Sequence, residues 1–196
     1  MASDVDICNS ALNMIGASNI ISLTEDSRAA RVCNQRYAFV RDAVFRAHPW
    51  NCLVTRTSLA ADSDTPAFEF DYQHTLPAAP YCLRVLRPQD PDTVFRVEGR
   101  KIISSTTPFK MIYIARVTDP AEYDLLLIEA IAARLAADIS YALVNSASLS
   151  QMLLAVYDSK LSEARFVDAT EGTPDNVVNI DRASYSESDI LISARF

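Results

Sequence analysis

Glycine is unusually scarce in this 196-residue sequence. Gly16, Gly99 and Gly172 are the three, and each falls where a helix or hairpin should end. A loop that cradles phosphate needs several glycines close together, so nucleotide binding through the common glycine-rich loops is excluded. Histidine is rarer still, with His48 and His74 alone. Cysteines stand at 8, 33, 52 and 82 without a C-x-x-C pair. They read as free thiols, packed as small hydrophobes in a reducing cytosol, and neither a metal nor a cofactor is expected.

Positive charge is also short. Twenty-five acidic residues face 18 basic ones, a net charge of −7. Affinity for phosphate backbones comes from clustered Lys and Arg, so this balance argues against nucleic-acid binding and against an anionic membrane surface. The opening Met-Ala-Ser-Asp-Val-Asp is acidic and lacks the basic and apolar stretches of a secretory signal. The longest apolar run, Leu125 to Val144, carries Glu129, Arg134 and Asp138, each costly at bilayer depth. It reads as a buried helix.

What remains is ordinary globular material, 49% hydrophobic and 22% charged. The period of the apolar residues changes twice along it. Val5, Cys8, Leu12 and Ile15 recur at helical spacing, so a helix is expected over about 4–15, capped by Ser3 with Asp6 and stopped by Gly16. A second helix is expected over about 26–47, with Cys33, Tyr37, Val40 and Val44 on its core face. Arg28, Arg31 and Arg46 lie on a solvated face, and His48-Pro49 ends the helix.

Between about 51 and 117 the period shortens to two. Phe68, Phe70 and Tyr72 alternate with polar residues as a strand; Tyr81, Leu83 and Val85 make another. Val94–Val97 and Lys101–Ser104 flank Glu98-Gly99-Arg100 as a hairpin, and Phe109 to Val117 is the strongest strand. One small antiparallel sheet of four to six strands is expected. Helix returns over about 119–144, with Asp119 as cap and Pro120 in the first turn, and over 148–170, with Ser148 and Gln151 as capping box. The short link between these two implies an antiparallel helix hairpin. The class is α+β, mainly helical, with the sheet inserted between N-terminal helices and a C-terminal hairpin in one domain spanning 1–172.

Residues 173–196 follow the stop signals Gly172 and Pro174, yet they carry Val177, Val178 and Ile180 among other apolar side chains. A solvated tail has no use for such residues. This extended tail is expected to dock, on another chain or back on this subunit's own sheet. Its candidate interface residues are Tyr185, Ile190, Leu191, Ile192, Arg195 and Phe196.

No catalytic set is assigned. A serine nucleophile needs His48 or His74 as base, and neither lies near a G-x-S-x-G turn, so both are expected as capping or surface residues. Glu129 stands alone in an apolar helix, where an ion pair with a neighbouring Arg or a place at a subunit interface is the ordinary use. Trp50, the one tryptophan, is expected to plug the junction between helices and sheet.

The order of parts resembles the tail tubular protein A family of short-tailed bacteriophages and the related head-completion adaptors. The resemblance rests on Ile7-Cys8-Asn9-x-Ala11-Leu12-x-x-Ile15-Gly16, Cys33-x-x-x-Tyr37-x-x-x-Arg41-Asp42 and Pro49-Trp50-Asn51, then a strand ending in Leu59-Ala60. Tyr72-x-x-x-Leu76-Pro77, Cys82-Leu83-Arg84-Val85, Arg134-Leu135-Ala136 and a last helix with Tyr157 and Ala164 complete it, to about residue 171. The resemblance implies a non-enzymatic virion protein of the tail or neck, made in the host cytoplasm. It implies self-association into a ring, dodecameric in the family, between portal protein and tail nozzle protein, with DNA passing through the lumen unbound. Terminal segments and the helical layer would meet the portal, and the sheet region the nozzle. The alternative is a virion-associated hydrolase that degrades peptidoglycan, as suggested for some such proteins; no residue set here carries that activity over.

Overall fold

A computed structural model describes residues 2–171, and the six tail residues named above lie outside the described part. The fold is α+β, about 48% helical and 20% strand, so the helices dominate as expected. Helix α1 spans Asp4–Met14. The Ser3 hydroxyl accepts the Asp6 amide at 3.2 Å, while the Ser3 amide donates to the Asp6 carboxylate at 2.9 Å. These two bonds complete the capping box with Asp in the Glu position, and the Ser3 hydroxyl and amide hold the Asp6 carboxyl below its usual range. Gly16, at φ +70°, ends the turn after it.

Helix α2 spans Arg28–Ala47, starting two residues later than expected, where the Ser27 hydroxyl caps it by accepting the Ala30 amide. Arg28, Arg31 and Arg46 are exposed, as expected, and each also finds a partner. Arg28 reaches the Ala142 carbonyl, Arg31 pairs with Asp26, and Arg46 turns toward the sheet to donate to the Leu83 carbonyl. After a 3₁₀ turn, Asn51–Leu53, the chain enters β1, Val54–Leu59.

The strands form two three-stranded sheets, where a single sheet was expected. In the first, β1 and β3 (Cys82–Pro88) flank β6 (Phe109–Ala115), both antiparallel to it. In the second, β2 (Tyr72–Thr75) and β4 (Phe95–Glu98) flank β5 (Lys101–Ser104). The division follows from burial. The face of β5 carrying Ile102 packs with Phe95 against Phe109, Met111 and Tyr113 of β6, so the two sheets share a small apolar core. The expected strand at 68–73 shrinks to β2, since Glu69 sits at φ +71° and breaks the extended run, leaving Phe68 exposed.

Asp119 and Pro120 do cap a turn, but it is a separate 3₁₀ turn, Pro120–Glu122. Helix α3, Leu125–Val144, begins afresh where the Asp124 carboxylate accepts the amides of Leu126 and Leu127. Asn145 reverses the chain in the left-handed conformation at φ +57°, and Ser146, not Ser148, caps α4, Ala147–Thr170. Glu129 pairs with Lys160, Arg134 lies over the Tyr157 ring, and Ser140 bonds Ser150, a descending series that fixes the two helices as an antiparallel pair.

The main core lies between α1, α2 and α3, where five alanines of α3 are buried and let its neighbours approach closely; Leu153, Leu161 and Ala164 close it from α4. Cys8, Cys33 and Cys82 are buried, and all four cysteines are free thiols. No described helix is long and apolar enough to cross a membrane. Trp50 is fully buried at the meeting of helices and sheet, its indole N–H on the Val44 carbonyl at 3.1 Å. Trp50→Ala should lower unfolding free energy by about 3–5 kcal/mol, read from urea denaturation. A loss comparable to a surface substitution would show that the junction is not part of the core.

Candidate functional site

Two polar constellations stand out among the described residues, one at the end of α4 and one between the sheets. The first gathers around Asp168, whose carboxylate accepts the His48 Nε2 at 3.0 Å and the Asn51 amide at 2.9 Å. The Asn51 side chain donates in turn to the Asp168 carbonyl at 2.7 Å, and Arg165 reaches the Ala47 carbonyl at 2.9 Å. His48 stacks edge-on against Trp50, with ring centroids 4.9 Å apart. The last turn of α4 is thereby held to the Pro49-Trp50-Asn51 junction, immediately before residue 172.

His48 thus sits on a carboxylate, as a triad histidine would. Nucleophile chemistry there needs an activated thiol or hydroxyl, and nearby Cys52 is shifted the wrong way: burial, with the negative charges of Asp168 and Asp124, pushes its thiol up. His74 is fully buried, against the surface place expected for it, and bridges the carbonyls of Ala60 and Thr106 at 3.0 and 3.2 Å. Glu129 pairs with Lys160 at 2.5 Å instead of an arginine, on a half-exposed flank of the α3–α4 pair. No group of three His, Cys, Asp or Glu side chains among the described residues is arranged to hold a metal ion.

The second constellation is a cleft of about 540 Å³ where α2 faces the strands β3 and β4. Tyr81 stands between two guanidiniums, with Arg100 at 4.0 Å from one ring centroid and Arg116 at 4.3 Å. Arg100 also donates to the carbonyls of Cys82 and Pro77, and Arg84 to that of Arg46. Carbonyls are neutral acceptors, so these bonds fix the arginines without neutralising them. Asp42 is the one carboxylate lining the cleft, and it pairs with Arg116 at 2.6 Å and with Arg41 at 2.9 Å. Burial works against the Arg41 charge, but Asp42 outweighs it and leaves the guanidinium above its ordinary range.

The Asp42 network continues into the helices. Arg41 lies over the rings of Tyr37 and Phe45, and burial together with Asp4 pushes the Tyr37 hydroxyl up. Burial likewise raises Tyr123, to about 12, with its hydroxyl donating to the Val117 carbonyl. Both phenols therefore stay protonated at any physiological pH, Tyr123 as a neutral donor and Tyr37 with its hydroxyl buried and unpartnered.

The arginine cleft escaped the sequence reading, because its members come from α2, β3, the β4–β5 turn and the end of β6. The one available signal was local: Tyr81 and Arg84 closely follow the Leu76-Pro77 stretch, which also lines the cleft through Leu76. No protein-family model matches the chain, and a search of the curated proteins finds no match.

Asp168→Ala leaves the Asn51 amide and His48 without their acceptor in a partly buried site. A loss of about 3 kcal/mol in urea unfolding, with faster amide exchange at Asn51, is the expected outcome. Unchanged exchange at Asn51 would separate the end of α4 from the junction.

Proposed function

We propose that this chain is a subunit of a head-to-tail adaptor ring of a short-tailed bacteriophage, joining portal to tail nozzle with viral DNA passing through the lumen. The observation that carries this reading is where the resembling motifs meet. Cys33, Tyr37, Trp50 and Leu83 share the main apolar core, and Asp42 joins Cys82-Leu83-Arg84-Val85 from the far side of the sequence in lining one cleft. Motifs retained for assembly need a rigid subunit, and this junction is what makes the helical and sheet layers one body.

Further support comes from the surface. Ile21, Phe39, Leu125, Tyr141 and Phe166 are large apolar residues left exposed on the helical layer. Scattered exposed hydrophobics are ordinary singly, but a helical layer bearing several suits contact with neighbouring copies in a ring. The cleft's arginines face the sheets, and the chain's net charge of −7 keeps the whole unsuited to gripping passing DNA.

On this reading residues 173–196 join the subunit to the portal, launched from the Asp168 anchor. Removal of 173–196 should leave unfolding of the remaining domain cooperative while attachment to portal-bearing heads falls to background, measured by co-sedimentation. Attachment at the full-length level would contradict the docking role of the tail.

A further inference from the structure

β4 is an edge strand with one side unpaired, and it borders the arginine cleft. Only β5 pairs with it, through Phe95↔Ser104, Arg96↔Ile103, Val97↔Ile102 and Glu98↔Lys101. The connection Gly99-Arg100 is a two-residue turn, and Gly99 at φ +58° in its first position, with no positive φ at Arg100, is the turn preference of a tight hairpin. Such a turn makes Glu98 and Lys101 the closing hydrogen-bonded pair. Alternation along an antiparallel ladder then leaves Val97 and Phe95 in non-hydrogen-bonded pairs, with N–H and C=O directed away from β5. Among the described residues nothing bonds that outer edge.

Val97 and Gly99 also line the cleft, so the open edge and the guanidiniums share one space. Arg46, Arg84 and Arg100 have carbonyls as their hydrogen-bond partners and no carboxylate among the described residues. Arg116 keeps its Nε buried with no acceptor. Four positive charges against Asp42 alone, in a chain that is acidic overall, form a local field of the opposite sign to the rest of the molecule.

We propose that the cleft receives an extended acidic peptide segment of a protein partner, added as a strand to the outer edge of β4 with its carboxylates on Arg46, Arg84, Arg100 and Arg116. Backbone pairing at Phe95 and Val97 supplies the register and the arginines select the charge. A phosphate chain would use the guanidiniums but not the strand edge, which is why the observations favour a peptide. The inference stands on charge and edge geometry, and survives or fails independently of the adaptor reading.

The test is fluorescence anisotropy with the full chain and a labelled decapeptide of alternating Glu and Val, against the matching Lys–Val decapeptide and a single-stranded ten-nucleotide DNA. The Glu–Val probe should bind, weaken with added salt, and lose roughly tenfold or more in affinity with Arg84→Glu, an exposed position. Val97→Pro should abolish binding, because it removes an outward N–H and leaves the β4–β5 ladder intact. Circular dichroism and thermal unfolding confirm that both variants fold. Absence of Glu–Val binding, equal binding of Lys–Val, or affinity untouched by either folded variant overturns the proposal. DNA that binds as tightly and displaces the peptide assigns the cleft to nucleic acid instead. A sedimentation coefficient of the free chain that drops with Val97→Pro gives the edge to a second copy. Either result also overturns it.

Discussion

Burial of Trp50 at the turn between α2 and β1 is the constraint on which the other parts depend. A tryptophan is too large to bury within one short segment, so α2, the start of β1 and the end of α4 must converge to enclose it. Its neighbours then use that closed environment. Asp168 lies more than a hundred positions away in sequence, and its hydrogen bonds to His48 and Asn51 are partly sheltered from competing water. Apolar burial brings the helical hairpin against the junction; the carboxylate fixes its rotation and the place where α4 ends.

The cleft shows the complementary use of polar groups. Tyr81 between Arg100 and Arg116 is a stack of two cations on one ring, and like charges so placed would spread apart without other restraints. Restraint comes from the carbonyls of Cys82 and Pro77 on one side and Asp42 on the other. The arginines are thus pre-oriented yet retain most of their charge, a state suited to meeting an anionic partner with little further ordering. Asp42 links this cleft to Arg41 and the tyrosines of the main core, so the helical and sheet layers share one electrostatic network as well as one apolar junction.

Much of the fold was legible because local signals and tertiary needs agree. The faces of α1 and α2, the Gly16 and Gly99 turns, the buried Leu125–Val144 helix and the Trp50 plug are all read from periodicity and single residues. The failures have physical causes. Asp124 and Ser146 outcompeted Asp119 and Ser148 as caps, a choice made by where the core face of each helix must begin. The alternation through Phe68 and Phe70 mimics a strand, but a left-handed Glu69 breaks it. His74 looked like a surface residue because nothing local shows that Ala60 and Thr106 will present two carbonyls to it. The arginine cleft is assembled across 70 residues of sequence, from Arg46 to Arg116, and no spacing along the chain announces it.

The central claim, that this rigid helix–sheet body is a ring subunit between portal and tail, is tested most directly by electron microscopy of the protein mixed with its portal. The account predicts a closed ring of fixed symmetry seated on the portal, with the helical layer toward it and the sheets pointing away. Bare portals beside single, unassembled subunits at saturating concentration would contradict it.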